Sequence, residues 1–418
     1  MFKFFIFFCF IILAHGNLGH GSSEHAVGIY EIKKGDFSIK VTNYGARIVS
    51  VNLPDKNGKL GDVVLGYDTL EEYVNDVQYF GAIVGRVANR ISNAQFTLNG
   101  TVYKLDANEK NNTLHGGVKG FSQVIWKVEE YENCGQSPYI TLSYQSYDGE
   151  EGKYLRLFKI ITSSLCSNTY DLFNVIKSFY FTTETANLNS LMSWTGFPGD
   201  LNVSVTYTLS GSYNLSVAMK AEALNKATPV NLAQHSYWNL GGHNSGTILY
   251  DELQLFASHI TPVYKSIPTG EKVLVKNTPY DFLKSRKIGS RIAQIKGGYD
   301  TNYVLDGPTE KKMKPVAVVY SRKSGRVMQL SSDAPAVQLY TVNYMNHVKG
   351  KDGFIYLPYA AVCLETQGFP DAVNHPNFPS QVVAPGMTYS HNMLYTFSLV
   401  KSRNVSRPFL DLIYNRNV

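Results

Sequence analysis

Cysteine is almost missing from this chain of 418 residues: Cys9, Cys134, Cys166 and Cys363 are the only four, and none stands in a paired spacing. That excludes a disulfide framework and the Cys-x-x-Cys knuckles of structural zinc sites, so packing has to hold the fold. Ten histidines are present, but none forms His-Glu-x-x-His, and no metal is expected. Charge is sparse as well, 17% of residues, and the net +6 is not gathered into any basic run of five or more. Nucleic acids and membrane surfaces therefore gain no support as partners. Helical periodicity is nearly absent; only Leu70-Glu-Glu-Tyr-Val-Asn and Asp281-Phe-Leu-Lys read as a turn or two of helix. No Gly-rich loop leads from a strand into a helix, and no Gly-x-Ser-x-Gly is present, so a nucleotide site and a serine hydrolase are both unsupported.

What the chain does have begins with a leader. Lys3 precedes the apolar run Phe4 to Ala14, and Ala14-His-Gly16 places small residues where a signal peptidase reads. The run is too short for a membrane span, so residues 1–16 are expected to be removed as a signal peptide. No later segment reads as a transmembrane helix, and the mature protein is expected to be soluble, secreted and monomeric. Sequons at Asn99, Asn111, Asn202, Asn214 and Asn404 fit that route.

Hairpin signals fill the remainder. Phe96-Thr-Leu and Thr101-Val-Tyr-Lys-Leu flank Asn99-Gly100, a type I′ dipeptide. Val203 to Leu209 and Leu215 to Ala221 flank Ser210-Gly-Ser, and Val316 to Tyr320 and Arg326 to Leu330 flank Ser324-Gly325. Many short strands with regular turns predict an all-β fold, a large antiparallel β-sandwich, as one domain over residues 27–400 followed by a tail at 401–418.

One stretch carries more chemical information than the others: Cys363-Leu-Glu-Thr-Gln-Gly-Phe-Pro-Asp-Ala-Val-Asn-His-Pro-Asn-Phe-Pro-Ser380. Glu365 closes an apolar run, Ala360-Ala-Val-Cys-Leu, that reads as a buried strand. A carboxylate there is costly unless a partner or a function keeps it. The stretch closely resembles the signature of the aldose 1-epimerases, the galactose mutarotases, and with its leader the chain resembles a secreted, plant-type member. Further motifs follow in the family's order and extend the resemblance over residues 27 to 400. It implies a large antiparallel β-sandwich, interconversion of the anomers of free aldohexoses such as glucose and galactose, and no cofactor.

That reaction needs a base for the C1 hydroxyl and an acid for the ring oxygen, each tuned towards working pH. Glu365, desolvated by its strand, is the expected base. His235, in Asn231-Leu-Ala-Gln-His-Ser-Tyr-Trp-Asn-Leu240, reads alone as a core histidine, and the resemblance makes it the acid. His115, in Thr113-Leu-His-Gly-Gly117, resembles a sugar-binding histidine, its paired glycines allowing a close backbone approach to a ligand. Asn89 and Arg90 stand in Phe80-Gly-Ala-Ile-Val-Gly-Arg-Val-Ala-Asn-Arg-Ile91, which reads as an otherwise apolar strand. An inward Arg90 needs acceptors, from a sugar or from a structural ion pair. Asp300 and Gln338 match sugar-binding positions of the family. Two departures flank Gln338: Ser331-Ser-Asp-Ala-Pro-Ala336, and Val342 where relatives usually have glycine. Tyr237, Trp238 and Phe369 offer faces for a sugar, with core packing expected of at least two.

Residues 153–196 do not fit. They lack proline, carry glycine only at Gly196, and are rich in Phe, Ile, Leu, Ser, Thr, Asn, Tyr and Lys, the residues AT-rich non-coding DNA tends to encode. Gly152-Lys-Tyr can be encoded with a splice donor and Thr195-Gly196 with an acceptor. Excision joins Asp148-Gly-Glu-Glu-Gly152 to Phe197-Pro-Gly-Asp-Leu201, the sequence the family carries here. A retained intron or a gene-model error is expected, against a genuine insertion loop. The competing functions are a hexose-6-phosphate 1-epimerase, which needs extra basic groups at the rim, a non-catalytic sugar-binding protein, and a non-functional chain.

Overall fold

Alternation with a period of two organises the molecule. Strand Leu201–Ser210 buries every second side chain from Leu201 to Leu209, and Asn214–Ala223 does the same from Leu215 to Ala223. The two pair antiparallel along their whole length. The structure, a computed structural model, describes residues 26–152, 196–308 and 311–400. The proposed leader, Cys166, Asn404, the tail and residues 153–195 of the anomalous segment lie outside the described residues.

These strands stand third and fourth in a nine-stranded sheet, and four-stranded and five-stranded sheets accompany it. One continuous apolar core joins all three, with Ile39 and Val41 from the four-stranded sheet, Val205 and Met219 from the nine-stranded sheet, and Leu339 and Leu364 from the five-stranded sheet. The predicted antiparallel β-sandwich is present. The predicted hairpins are present too: Asn99 and Gly100 both take positive φ between Gln95–Leu98 and Thr101–Lys104, as a type I′ turn requires.

Two local readings change. Leu70–Val74 is a helix, opened by a capping box between Thr69 and Glu72, but Asp281-Phe-Leu-Lys is not helical. Asp281 instead accepts from the backbone N–H groups of Asn277 and Leu283, the local side-chain capture that makes Asp a turn residue. The stretch from Phe80 to Ile91 is two short strands, Ala82–Val84 and Arg90–Ile91, interrupted where Asn89 takes φ +61°. After His115, Gly116 crosses the Gly85 backbone, where a Cβ would lie 1.7 Å from the Gly85 carbonyl oxygen, and Gly117 faces the Glu151 carboxylate. Among the described residues no helix is long and apolar enough to cross a membrane, and Cys134 and Cys363 are free thiols.

Candidate active site

Strand Cys363–Gln367 is buried at every position, as its apolar approach predicts. Register places Glu365 opposite Gln338, and Gln338 opposite Asn302, two residues from Asp300. Gln338 Nε2 donates to Asp300 Oδ1 at 2.6 Å, so one face of the five-stranded sheet presents Asp300, Gln338 and Glu365 together. The histidine side comes from elsewhere in the chain. His235 ends strand Ala233–His235, which pairs with Ala82–Val84. Asn89, Arg90 and His115 meet where Arg90–Ile91 pairs with Thr113–Leu114, and the His115 N–H donates to the Asn89 carbonyl at 3.0 Å.

Every predicted residue lines one cleft of about 430 Å³: Asn89, Arg90, His115, His235, Asp300, Gln338 and Glu365. That volume suits a small-molecule site. Gln338 takes its expected place despite the flanking departures. The Val342 departure has a backbone consequence, since this buried β-branched residue sits at φ +56°, a conformation that favours glycine. Of the three aromatics, only Tyr237 reaches the cleft; Trp238 and Phe369 belong to apolar clusters. Sequence reasoning missed Tyr79, Glu109, Lys110, Tyr340 and Tyr344, which also line the cleft. For Glu109 a signal was available, an acid in the loop leading to the His115 motif and an expected Arg90 in need of acceptors.

Of the two accounts offered for Arg90, the structural ion pair is found. Arg90 faces the cleft and makes a two-pronged ion pair with Glu109, Nε to Oε2 at 3.1 Å and the terminal nitrogen to Oε1 at 3.0 Å. Among the described residues the lining's cations are this committed Arg90 and Lys110, which form no basic cluster for a phosphate.

At the buried end of the cleft, His235 Nε2 stands 3.5 Å from Glu365 Oε1. Among the described residues Glu365 Oε2 has no hydrogen-bond partner, and His235 Nδ1 has none beyond its own backbone. Burial, helped by the charge of Asp300 and opposed by Arg90, pushes the Glu365 pKa up to about 8. Burial pushes His235 down to about 4 and His115 well below its ordinary value. At neutral pH the pair therefore holds one proton, on Glu365, beside two neutral imidazoles.

His115, His235 and Glu365 bring ligand-type atoms within 4.8 Å of one another, a cluster the sequence spacing did not reveal. His115 is not oriented as a metal ligand. A ligating imidazole normally donates its second N–H to an acceptor. The second nitrogen of His115, Nδ1, instead accepts from the Asn89 N–H at 3.3 Å, which keeps the proton on Nε2 and makes that atom a donor. This tautomer suits a sugar hydroxyl, not a cation.

A sequence model of the aldose 1-epimerase family matches residues 28–163 and 177–396, passing over 164–176 inside the anomalous segment. Galactose mutarotase from Bos taurus is 36% identical over 385 residues, covering 91% of this chain and 96% of its own length. An aldose 1-epimerase from Haemophilus influenzae is 30% identical over 346 residues, covering 81% and 86%. A solved aldose epimerase homologue from C. elegans superposes with a TM-score of 0.74 at 26% identity, covering 90% of this chain and all of that one. These mammalian, bacterial and nematode relatives lend nothing to a plant-type placement.

Proposed function

The chain belongs to the aldose 1-epimerase family and interconverts the anomers of aldoses, and we propose that Glu365 and His235 carry its proton transfers on glucose and galactose. The observation that supports this assignment is the buried pair itself, two groups of opposed pKa shift at 3.5 Å sharing one proton. Ring opening takes a proton from the C1 hydroxyl and delivers one to the ring oxygen; rotation about C1–C2 and closure return both. One group gives while the other takes, and the roles reverse on closure. In the resting cleft the proton sits on Glu365. Moving it across the pair gives the ionised Glu365 and protonated His235 that the base and acid roles require. Arg90, Asp300, Gln338 and the Nε2–H of His115 hold the hydroxyls while the open aldehyde turns. Polarimetry on fresh α-D-glucose and α-D-galactose, against an enzyme-free blank, tests the substrate reading; no acceleration with either sugar sinks it. A lectin has no use for such a pair, and a phosphate-specific enzyme would need cations this lining does not gather.

The pair fixes a pH profile. Below about 4 His235 binds a second proton and no base remains; above about 8 Glu365 loses the only one and no acid remains. The expected kcat/KM is bell-shaped with limbs near those values, which belong to the pair as a whole. A rate still rising at pH 9 contradicts the shared-proton pair.

We propose further that the mature protein is a secreted monomer that lacks residues 1–16 and 153–196. Support for the second excision lies in its flanks. The Gly149 N–H donates to the Phe197 carbonyl and the Phe197 N–H to the Glu150 carbonyl, both at 2.8 Å, so the residues that excision would bring close in sequence are already bridged. Asn99, Asn111 and Asn202 are exposed sequons, consistent with a glycosylated route. The expected result is a deglycosylated intact mass short of both segments, and a recombinant chain without 153–196 that keeps full mutarotation. A mature mass that includes the segment, with deletion abolishing folding, overturns the excision.

A further inference from the structure

Tyr79 holds its backbone at φ +59°, a region a bulky side chain adopts only when its surroundings impose it. They do so from both sides. The Asp76 carboxylate accepts from the Gln78 N–H at 2.7 Å and the Phe80 N–H at 3.0 Å. Buried Arg47 pairs with that carboxylate and donates to the Phe80 carbonyl at 3.1 Å. The Tyr237 hydroxyl donates to the Gln78 carbonyl. The residues before and after Tyr79 are thus pinned, and the backbone between them has little choice.

The strained turn places an aromatic ring against both histidines of the cleft. Ring centroids are 4.8 Å apart for Tyr79 and His115, and 5.9 Å for Tyr79 and His235, the latter with 30° between planes. Tyr237 stacks on His235 as well, at 5.1 Å and 26°. The phenol of Tyr79 reaches the side chain of Asn108. That side chain donates to the carbonyls of Leu114 and Gly117 and accepts from the Leu114 N–H, bracing the backbone around His115.

A proton-transferring histidine is usually held by a hydrogen bond at its second nitrogen. Among the described residues no other residue holds His235 this way, because Nδ1 meets only its own backbone. Something else must set the ring plane, and aromatic packing is what the structure supplies. We infer that Tyr79 is a positioning residue for the reaction: its ring, together with that of Tyr237, sets the plane of His235 so that Nε2 faces Glu365. The inference rests on the role proposed for His235 above.

The test compares Tyr79→Phe with Tyr79→Leu by polarimetry across sugar concentrations, with circular dichroism and thermal melting as controls for folding. Leucine keeps apolar volume but lets the imidazole turn, so kcat should fall roughly 10- to 100-fold, the cost of an ångström-scale misplacement. Arg90, Asp300 and Gln338 are untouched, so KM should stay within about threefold. Phenylalanine keeps the ring and should restore kcat to within about threefold of wild type. A folded leucine variant with wild-type kcat overturns the inference. So does a phenylalanine variant as slow as the leucine one, because the hydroxyl would then be the acting group. Tyr79→Met serves the same comparison if the leucine variant does not fold. Full activity in Glu365→Gln or His235→Asn refutes the proton-transfer assignment instead, so the two failures are distinguishable.

Discussion

Replacing Glu365 by glutamine should remove nearly all mutarotation and leave the fold intact. The amide keeps the shape of the protonated carboxyl but can neither give up its proton in the working range nor take one back. General acid–base groups of this kind supply roughly 10²–10⁴-fold each, and the loss should reach that scale. The fold should survive because Oε2 already makes no hydrogen bond among the described residues and the resting carboxyl is neutral at neutral pH. Stability provides a second signature with a definite sign. The folded pKa of Glu365 is raised from 4.5 to about 8, so the stability its protonated form contributes is fully present below 4.5 and is lost as pH rises towards 8. Glutamine does not ionise. The melting temperature of Glu365→Gln should therefore fall less than that of wild type between pH 5 and pH 8. A rate within about threefold of wild type would remove Glu365 from proton transfer, since a group of this class supplies far more.

Much of this site was legible because its motifs carry local chemistry. An acid at the end of an apolar run announced a buried carboxylate, and Asn99-Gly100 announced a hairpin through its φ requirement. Asp300, Gln338 and Glu365 could be named, though their meeting on one sheet face depends on a register that only the paired strands reveal. What was missed is tertiary. Nothing in Val77-Gln-Tyr79-Phe marks Tyr79 for a left-handed backbone; Asp76 and a distant Arg47 impose it. The glycines after His115 were noticed for a ligand's approach, but glycine is needed equally where two backbones cross, and Gly116 crosses Gly85. Asp281 failed as a helix for a comparable reason. Its four-residue window looks helical by composition, yet its carboxylate captures two nearby N–H groups and closes a turn. In each case a close contact outweighed the local preference.

His235→Asn should be as damaging as Glu365→Gln, whereas His375→Asn should be mild, although both histidines sit in sequences that match the family. His235 is buried 3.5 Å from Glu365 and packs against two tyrosine rings. His375 lies outside the cleft lining, packed on Phe378 at 5.0 Å between ring centroids, with Nε2 3.5 Å from Asp371. Asparagine at 235 can donate a hydrogen bond but cannot accept and release a proton, so the loss should again be roughly 10²–10⁴-fold. At 375 it removes a ring contact and a partly exposed pairing, and activity should stay within about threefold. If His375 proved the more sensitive of the two, the assignment of His235 would be wrong. The double variant Glu365→Gln/His235→Asn then separates a pair from two independent groups. Independent groups multiply their losses. Two residues sharing one proton act as a unit, so once either is gone the other has nothing to exchange with, and the double variant should be scarcely slower than either single one. Losses that multiply in full would show that each residue works with a different proton partner, and Glu365 and His235 would no longer form one relay.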